Sequence, residues 1–178
     1  MNDIRNGLHQ LVTNDLTPNK HQQFKLRLEL DALGKIKLEY QAITKIKSKF
    51  RVALLNNALD TSHPLFRYKT TSPLVRGLYT QLDNQFKPDG IDELLFINQH
   101  GEITEGRFYN IIIELDGQLI TPPINCGLLN GIYRINMIKH QQIYEKIITK
   151  EMLMHATKIY LCNDVRGLIE CDFAGIIN

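Results

Sequence analysis

His63-Pro64-Leu65-Phe66-Arg67-Tyr68-Lys69-Thr70-Thr71-Ser72-Pro73 decides how the rest of the chain is read. A short apolar run ends on a primary amine, and Ser72-Pro73 then supplies a cap residue and a proline at the first position of a helix. The pattern places Lys69 where a strand delivers its side chain into a cleft. Burial there lowers the proton affinity of an amine and makes it a nucleophile towards carbonyl carbon. Taken alone, a lysine snorkelling from the surface is the commoner outcome.

On the C-terminal side of Lys69, Leu74, Val75, Leu78, Tyr79, Leu82 and Phe86 recur at helical spacing, and Pro88-Asp89-Gly90 ends the helix. A strand is expected at Leu94 to Ile97, a turn at Gln99-His100-Gly101, and a hairpin from Ile111 to Thr121 through Asp116-Gly117. Gly131 opens a second helix with Ile132, Ile135 and Ile138 on one face. A short helix from Lys150 and a strand at Ile159 to Cys162 follow. On the N-terminal side, Phe50 to Leu55 reads as a buried strand. Phe24, Leu26, Leu28 and Leu30 alternate with polar residues and turn at Gly34-Lys35 into Ile36, Leu38 and Tyr40. Leu8, Leu11 and Val12 suggest a short helix, followed by a breaker cluster at Thr17-Pro18-Asn19. The class is α+β without βαβ regularity, with a domain boundary that gives segments 1–60 and 61–178.

A chain of 178 residues with 43% hydrophobic content can bury one substantial core. Its 21 basic and 19 acidic residues are interspersed, which gives no electrostatic footprint for nucleic acid. The densest basic stretch, Lys45 to Arg51, alternates cations with Ile46, Ser48 and Phe50, the pattern of a strand with one solvated face. No apolar run is long enough to cross a bilayer and no signal peptide opens the chain, so a cytoplasmic location is expected. Cys126, Cys162 and Cys171 lack CxxC spacing and the histidines form no HExxH pair, so neither a disulfide framework nor a metal site is expected.

Two further segments carry candidate chemistry. Asn125-Cys126-Gly127-Leu128-Leu129-Asn130-Gly131-Ile132 runs straight into a helix, where free N–H groups at Gly131 and Ile132 suit an anion such as a phosphate. Glu105 precedes Gly106, whose missing side chain would let the backbone approach a flat ring while the carboxylate holds a ring N–H. An ordinary turn before a helix and an exposed acid beside a turn are the plain alternatives.

The order and spacing of these segments resemble the class IV aminotransferase and lyase family of pyridoxal-phosphate enzymes over about the last two-thirds of the chain. His63 to Thr71 resembles its Schiff-base segment. Asp92-Glu93-Leu94-Leu95-Phe96-Ile97-Asn98 with Gly101 to Gly106 and Asn110-Ile111-Ile112-Ile113 resembles its cofactor-nitrogen segment. Thr121-Pro122-Pro123, Cys126 to Leu129 and Asn130-Gly131-Ile132-Tyr133-Arg134 resemble its phosphate loop and helix. Lys69-Thr70-Thr71 and Leu161-Cys162-Asn163 are most like the aminodeoxychorismate lyase branch, notably the form fused behind aminodeoxychorismate synthase.

The resemblance implies the C-terminal domain of a fold type IV enzyme, like the D-amino acid aminotransferases, behind a shortened N-terminal β-containing domain. It implies pyridoxal phosphate as cofactor, with Lys69 as the covalent attachment point and catalytic base, Glu105 on the ring nitrogen, and Asn110, Gly131 and Ile132 in the cofactor site. It implies a lyase that forms 4-aminobenzoate and pyruvate for folate biosynthesis. A class IV aminotransferase of branched-chain or D-amino acids, and a truncated relative without turnover, are the alternatives. A homodimer is the expected assembly, associated with or derived from an aminodeoxychorismate synthase, acting on a small molecule. The chain departs from the family pattern in three places. No matching strand and arginine precede Phe24, Tyr133 stands where many relatives have threonine, and Asp164 where they often have serine or threonine.

Overall fold

A computed structural model describes residues 2–13, 22–46, 48–69 and 73–178. The breaker cluster at 17–19, and Thr70, Thr71 and Ser72, lie outside the described residues. By its internal contacts the chain divides into units 1–47 and 48–178.

The first unit holds helix α1 (Asn2–Leu11) and strands β1 (Phe24–Leu30) and β2 (Ile36–Ala42). The strands pair antiparallel from Phe24↔Ala42 to Leu30↔Ile36. Period-two alternation therefore puts Phe24, Leu26, Leu28 and Leu30 on the same face as Ile36, Leu38 and Tyr40. Asp31 makes the turn: its Oδ1 accepts from the N–H groups of Leu33 and Lys35, and Gly34 takes a φ of +83°.

The second unit contains β3 (Phe50–Leu59), α2 (Pro73–Phe86), β4 (Glu93–Asn98), β5 (Ile103–Gly106), β6 (Asn110–Leu115) and β7 (Gln118–Thr121). It continues with α3 (Ile132–Lys139), β8 (Tyr144–Glu145), α4 (Lys150–Met154), β9 (Lys158–Asn163) and β10 (Gly167–Ile177). Its sheet runs β5-β4-β3-β10-β9-β6-β7-β8, and a further pairing joins β5 to β6 through Glu105 and Asn110. That pairing closes six strands into a ring, so the residues flanking the closure have their backbones fixed from both sides.

Several expectations need correction. The boundary expected at 60/61 falls at 47/48, because β3 is a strand of the second unit's sheet, paired in parallel with both β4 and β10. Val52 to Leu55 are fully buried there, which a strand shared between two neighbours requires. β3, α2 and β4 make one parallel crossover, a regularity the sequence reading missed. β10 was also missed: its burial alternates, and glycine at both Gly167 and Gly175 masks a strand signal. Lys45 and Ile46 are not in a strand, and β3 begins at Phe50.

α2 presents Tyr79 and Leu82, flanked by Val75, Leu78 and Phe86, to Ala53, Leu55, Leu94 and Phe96 of the sheet. Each such side chain contributes about 1.5–3 kcal/mol when fully buried. α3 packs differently from expectation. Ile132 is 61% exposed, and the helix buries Arg134 and Met137, the latter against Ile112, Ile143 and Cys162.

Candidate active site

Lys69 does not end a strand. His63 accepts a hydrogen bond from the Leu65 N–H (3.2 Å) and Pro64 starts a 3-10 turn over Pro64–Arg67. The cap and the proline override the apolar run, because a capped turn satisfies N–H groups that an unpaired strand would leave open. Phe66 alone of this turn is buried, and Lys69, two residues beyond it, is exposed rather than sunk in a cleft.

Phe66 is what attaches this segment to the fold. Its ring meets Tyr79 edge-on at 6.1 Å, and Tyr79 stacks on Phe96 of β4 at 4.7 Å. The Tyr79 hydroxyl donates to Glu105 Oε1 at 3.3 Å. Glu105 Oε2 accepts from the Leu129 N–H at 3.0 Å and from Asn110 Nδ2 at 3.2 Å. The second proton of that amide goes to the Leu129 carbonyl at 2.8 Å, so Asn110 bridges the carboxylate and the loop before α3.

Glu105 is 7% exposed, so the plain alternative of a solvated acid does not hold. Burial pushes its carboxyl up to about 8, against the opposing pull of the Leu129 N–H and the Tyr79 hydroxyl. Its recorded hydrogen-bond partners are uncharged donors. Among the described residues no cation hydrogen-bonds to it, the Arg134 guanidinium acting on it only at a distance, and a protonated ring nitrogen is a partner of the right charge and hydrogen-bonding sense.

Gly106 does something other than admit a ring. A Cβ there would stand 2.6 Å from Glu93 Oε1, so the notch it leaves is filled by a second buried carboxyl, from β4. Glu93 Oε1 accepts from the Phe108 N–H at 2.8 Å, and burial pushes this acid up to about 7. Successive residues of β5 point to opposite faces, so Glu105 and the Gly106 notch serve opposite sides of the strand. Arg107 pairs with the buried Asp83 of α2 at 3.0 Å and donates to Thr80, tying the β5–β6 loop to that helix.

The loop between β7 and α3 is held from two sides. At Gly127, where φ is +92°, a Cβ would collide with Thr61, whose hydroxyl donates to the Cys126 carbonyl at 3.0 Å. At Gly131 a Cβ would collide with Asn110 Oδ1. The Gly131 N–H is not free, as the sequence suggested, because it donates to Leu129 O at 2.9 Å. Gly131 is the N-cap residue of α3, and no side chain caps that end. The N–H groups of the first turn, from Ile132 onwards, have no residues a turn earlier within the helix to accept from them, which leaves the helix end suited to an anion.

Sequence reasoning missed the groups that build this shell: Tyr79, Thr61 and Arg134. Arg134 is 1% exposed, donates to Pro122 O (2.7 Å) and Asn130 Oδ1 (2.9 Å), and pairs with Glu145. It braces the loop and is not open to a ligand. Its position between apolar residues was the available signal, since a buried guanidinium must be fully bonded. Asp164 is exposed in the β9–β10 turn, where Asn163 Oδ1 accepts from the Val165 and Arg166 N–H groups. That turn adjoins α3 through Tyr133, whose ring lies 3.7 Å from the place of a Cβ on Gly167. Cys126, Cys162 and Cys171 are buried and free, and burial pushes each thiol up to about 12, so they are inert. Among the described residues no helix is long and apolar enough to cross a membrane, and no group of three metal-ligating side chains stands together.

The family model described as "Amino-transferase class IV" matches residues 19–172. Among curated proteins, "Putative aminodeoxychorismate lyase" of Schizosaccharomyces pombe is 31% identical over 77 residues, 42% of this chain and 33% of that protein. "Probable branched-chain-amino-acid aminotransferase" of Thermotoga maritima is 28% identical over 82 residues, 43% of this chain and 30% of that protein. The matched stretches thus span about a third of the curated relatives' length. A solved structure of a "Putative amino-acid aminotransferase" from Mesorhizobium loti superposes with a TM-score of 0.78 at 29% identity, covering 92% of this chain and 79% of that one. With the family model spanning most of its length, the chain belongs to the class IV aminotransferase family, whose enzymes depend on pyridoxal phosphate.

Proposed function

We propose that this chain binds pyridoxal phosphate between Lys69, Glu105 and the first turn of α3, and acts as a lyase of the aminodeoxychorismate type. The observation that carries the cofactor site is Glu105: a buried carboxyl, fixed at the closure of the sheet by three uncharged donors, with no cation hydrogen-bonded to it among the described residues. When bound, the cofactor supplies an electron sink for an amine attached to its aldehyde carbon.

The chain's own residues divide the work. Glu105 holds the proton on the ring nitrogen, and Asn110 keeps the carboxylate and the Leu129 loop in register. The N–H groups that open α3, beginning at Ile132, receive the phosphate, while Gly131 leaves the room that Asn110 needs. Lys69 is exposed, so its amine can exchange with a substrate amine and then move a proton at the substrate carbon and at a departing enolpyruvyl methylene. Pyruvate leaves and 4-aminobenzoate remains.

The lyase reading rests on Lys69-Thr70-Thr71 and on the 31% match to a protein named for that activity. Aminotransfer is the second reading, favoured by the 29% identical structure named as an amino-acid aminotransferase. Incubation with aminodeoxychorismate should release pyruvate faster than branched-chain or D-amino acids yield keto acids. The reverse order selects the aminotransferase, and a protein that takes up no chromophore is a relative without turnover. A two-fold homodimer belongs to the same proposal, because such symmetry lets each chain wall its partner's site. Light scattering that finds a monomer at micromolar concentration would remove it.

A further inference from the structure

Tyr79 lies ten residues after Lys69 and counts above only as one of three donors to Glu105, with no role of its own. It is 4% exposed, and burial together with the Glu105 carboxylate holds its hydroxyl protonated far above the ordinary range of a phenol. It therefore remains a donor at every working pH. Its proton goes to Glu105 Oε1, the oxygen that Asn110 and Leu129 leave unbonded. Its ring is fixed on both sides, by Phe66 of the turn before Lys69 and by Phe96 of β4. A phenol clamped in this way cannot follow a carboxylate that rotates, so it selects one carboxylate plane.

Resting on the cofactor site proposed above, we infer that Tyr79 is a positioning residue that fixes the Glu105 carboxylate for the cofactor's ring nitrogen and links that carboxylate to the segment carrying Lys69. Without the hydroxyl, Glu105 Oε1 has no hydrogen-bond donor among the described residues, and a buried carboxylate short of a donor retains a proton of its own more readily. A protonated, mobile Glu105 holds a ring N–H poorly.

The test compares two ligands on two proteins. Pyridoxal phosphate and its analogue with carbon in place of the ring nitrogen are titrated by absorbance into the full chain and into Tyr79→Phe, which keeps both ring contacts. The native protein should prefer pyridoxal phosphate. Tyr79→Phe should lose roughly tenfold in affinity for it, the size of one hydrogen bond to a charged group, and nothing for the analogue. In a Glu105→Gln background Tyr79→Phe should cost no further affinity, which guards against a general loss of folding. Equal weakening for both ligands, or an undiminished preference in Tyr79→Phe, overturns the role of Tyr79 and leaves the cofactor site standing. A native protein that binds neither ligand overturns both.

Discussion

The two ends of the proposed cofactor site are built on opposite principles. Glu105 sits in a strand that closes the sheet, is almost wholly buried, and is bonded by an α2 side chain, a β6 side chain and a loop backbone. Lys69 follows a single 3-10 turn, is exposed, and is tethered through one buried aromatic, Phe66. The contrast has a chemical reason. An anion that must keep one proton on a ring nitrogen needs a fixed donor shell, because reorganising a buried charge costs several kcal/mol. An amine that must leave one carbon and reach another needs freedom of rotation.

The largest effect expected on the rigid side is at the loop. Gly127→Ala places a Cβ on Thr61 at a φ that side chains avoid, and should destabilise the fold by about 3 kcal/mol in denaturant unfolding. A loss within experimental error would mean the loop yields, and the rigid end is less rigid than its contacts suggest.

Phe66→Ala sharpens the comparison from the other side. It removes the buried aromatic anchor of the turn before Lys69 and should cost about 3 kcal/mol, as aromatic truncations in a core do. Proteolytic nicking should then concentrate near Lys69 and spare the Glu105 strand. Uniform susceptibility would show that the two ends are not separately held.

The carboxyls of Glu105 and Glu93 set a pH signature on the rigid side. Burial raises both above their ordinary value of 4.5, to about 8 and about 7. The folded state thus binds protons that the unfolded state has released. The stability each contributes is complete below about pH 4.5 and is lost as pH rises through about 7 for Glu93 and about 8 for Glu105. Without cofactor, the unfolding free energy should fall between pH 5 and 8, by at most ~1.4 kcal/mol per pH unit for each group, and Tm with it. Glu105→Gln should flatten the upper part of that fall, and an unchanged slope in the variant would remove Glu105 from the account.

The segments that carry the two ends were legible in the sequence, and the contrast between them was not, for physical causes. Asp116-Gly117 announced its hairpin because both residues must take positive φ, as they do at +51° and +75°. The order of Lys69, Glu105 and Gly131 was readable as a resemblance. The burial of Glu105 was not, since its donors come from Tyr79, Asn110 and Leu129, and no local pattern records which distant residues fold together. The role of Gly106 was misjudged for the same reason: the group that fills its notch is Glu93, thirteen positions earlier. At Lys69 the apolar run suggested a strand, and a cap and a proline made a turn.

The smallest effects belong to the exposed residues. Lys69→Ala should change unfolding free energy by about 0.5 kcal/mol or less, as a solvated side chain without a structural role does. Asp164→Ser should tighten pyridoxal phosphate a few-fold and leave pyridoxal unchanged, because the substitution removes a like charge from the turn beside α3. Equal changes for both ligands would place Asp164 away from the phosphate.

Reduction with borohydride in the presence of pyridoxal phosphate, followed by peptide mass spectrometry, tests the central claim most directly. The account predicts a single stable adduct on Lys69, formed in the native protein and absent from Lys69→Ala. An adduct on another lysine, with none at Lys69, would contradict it.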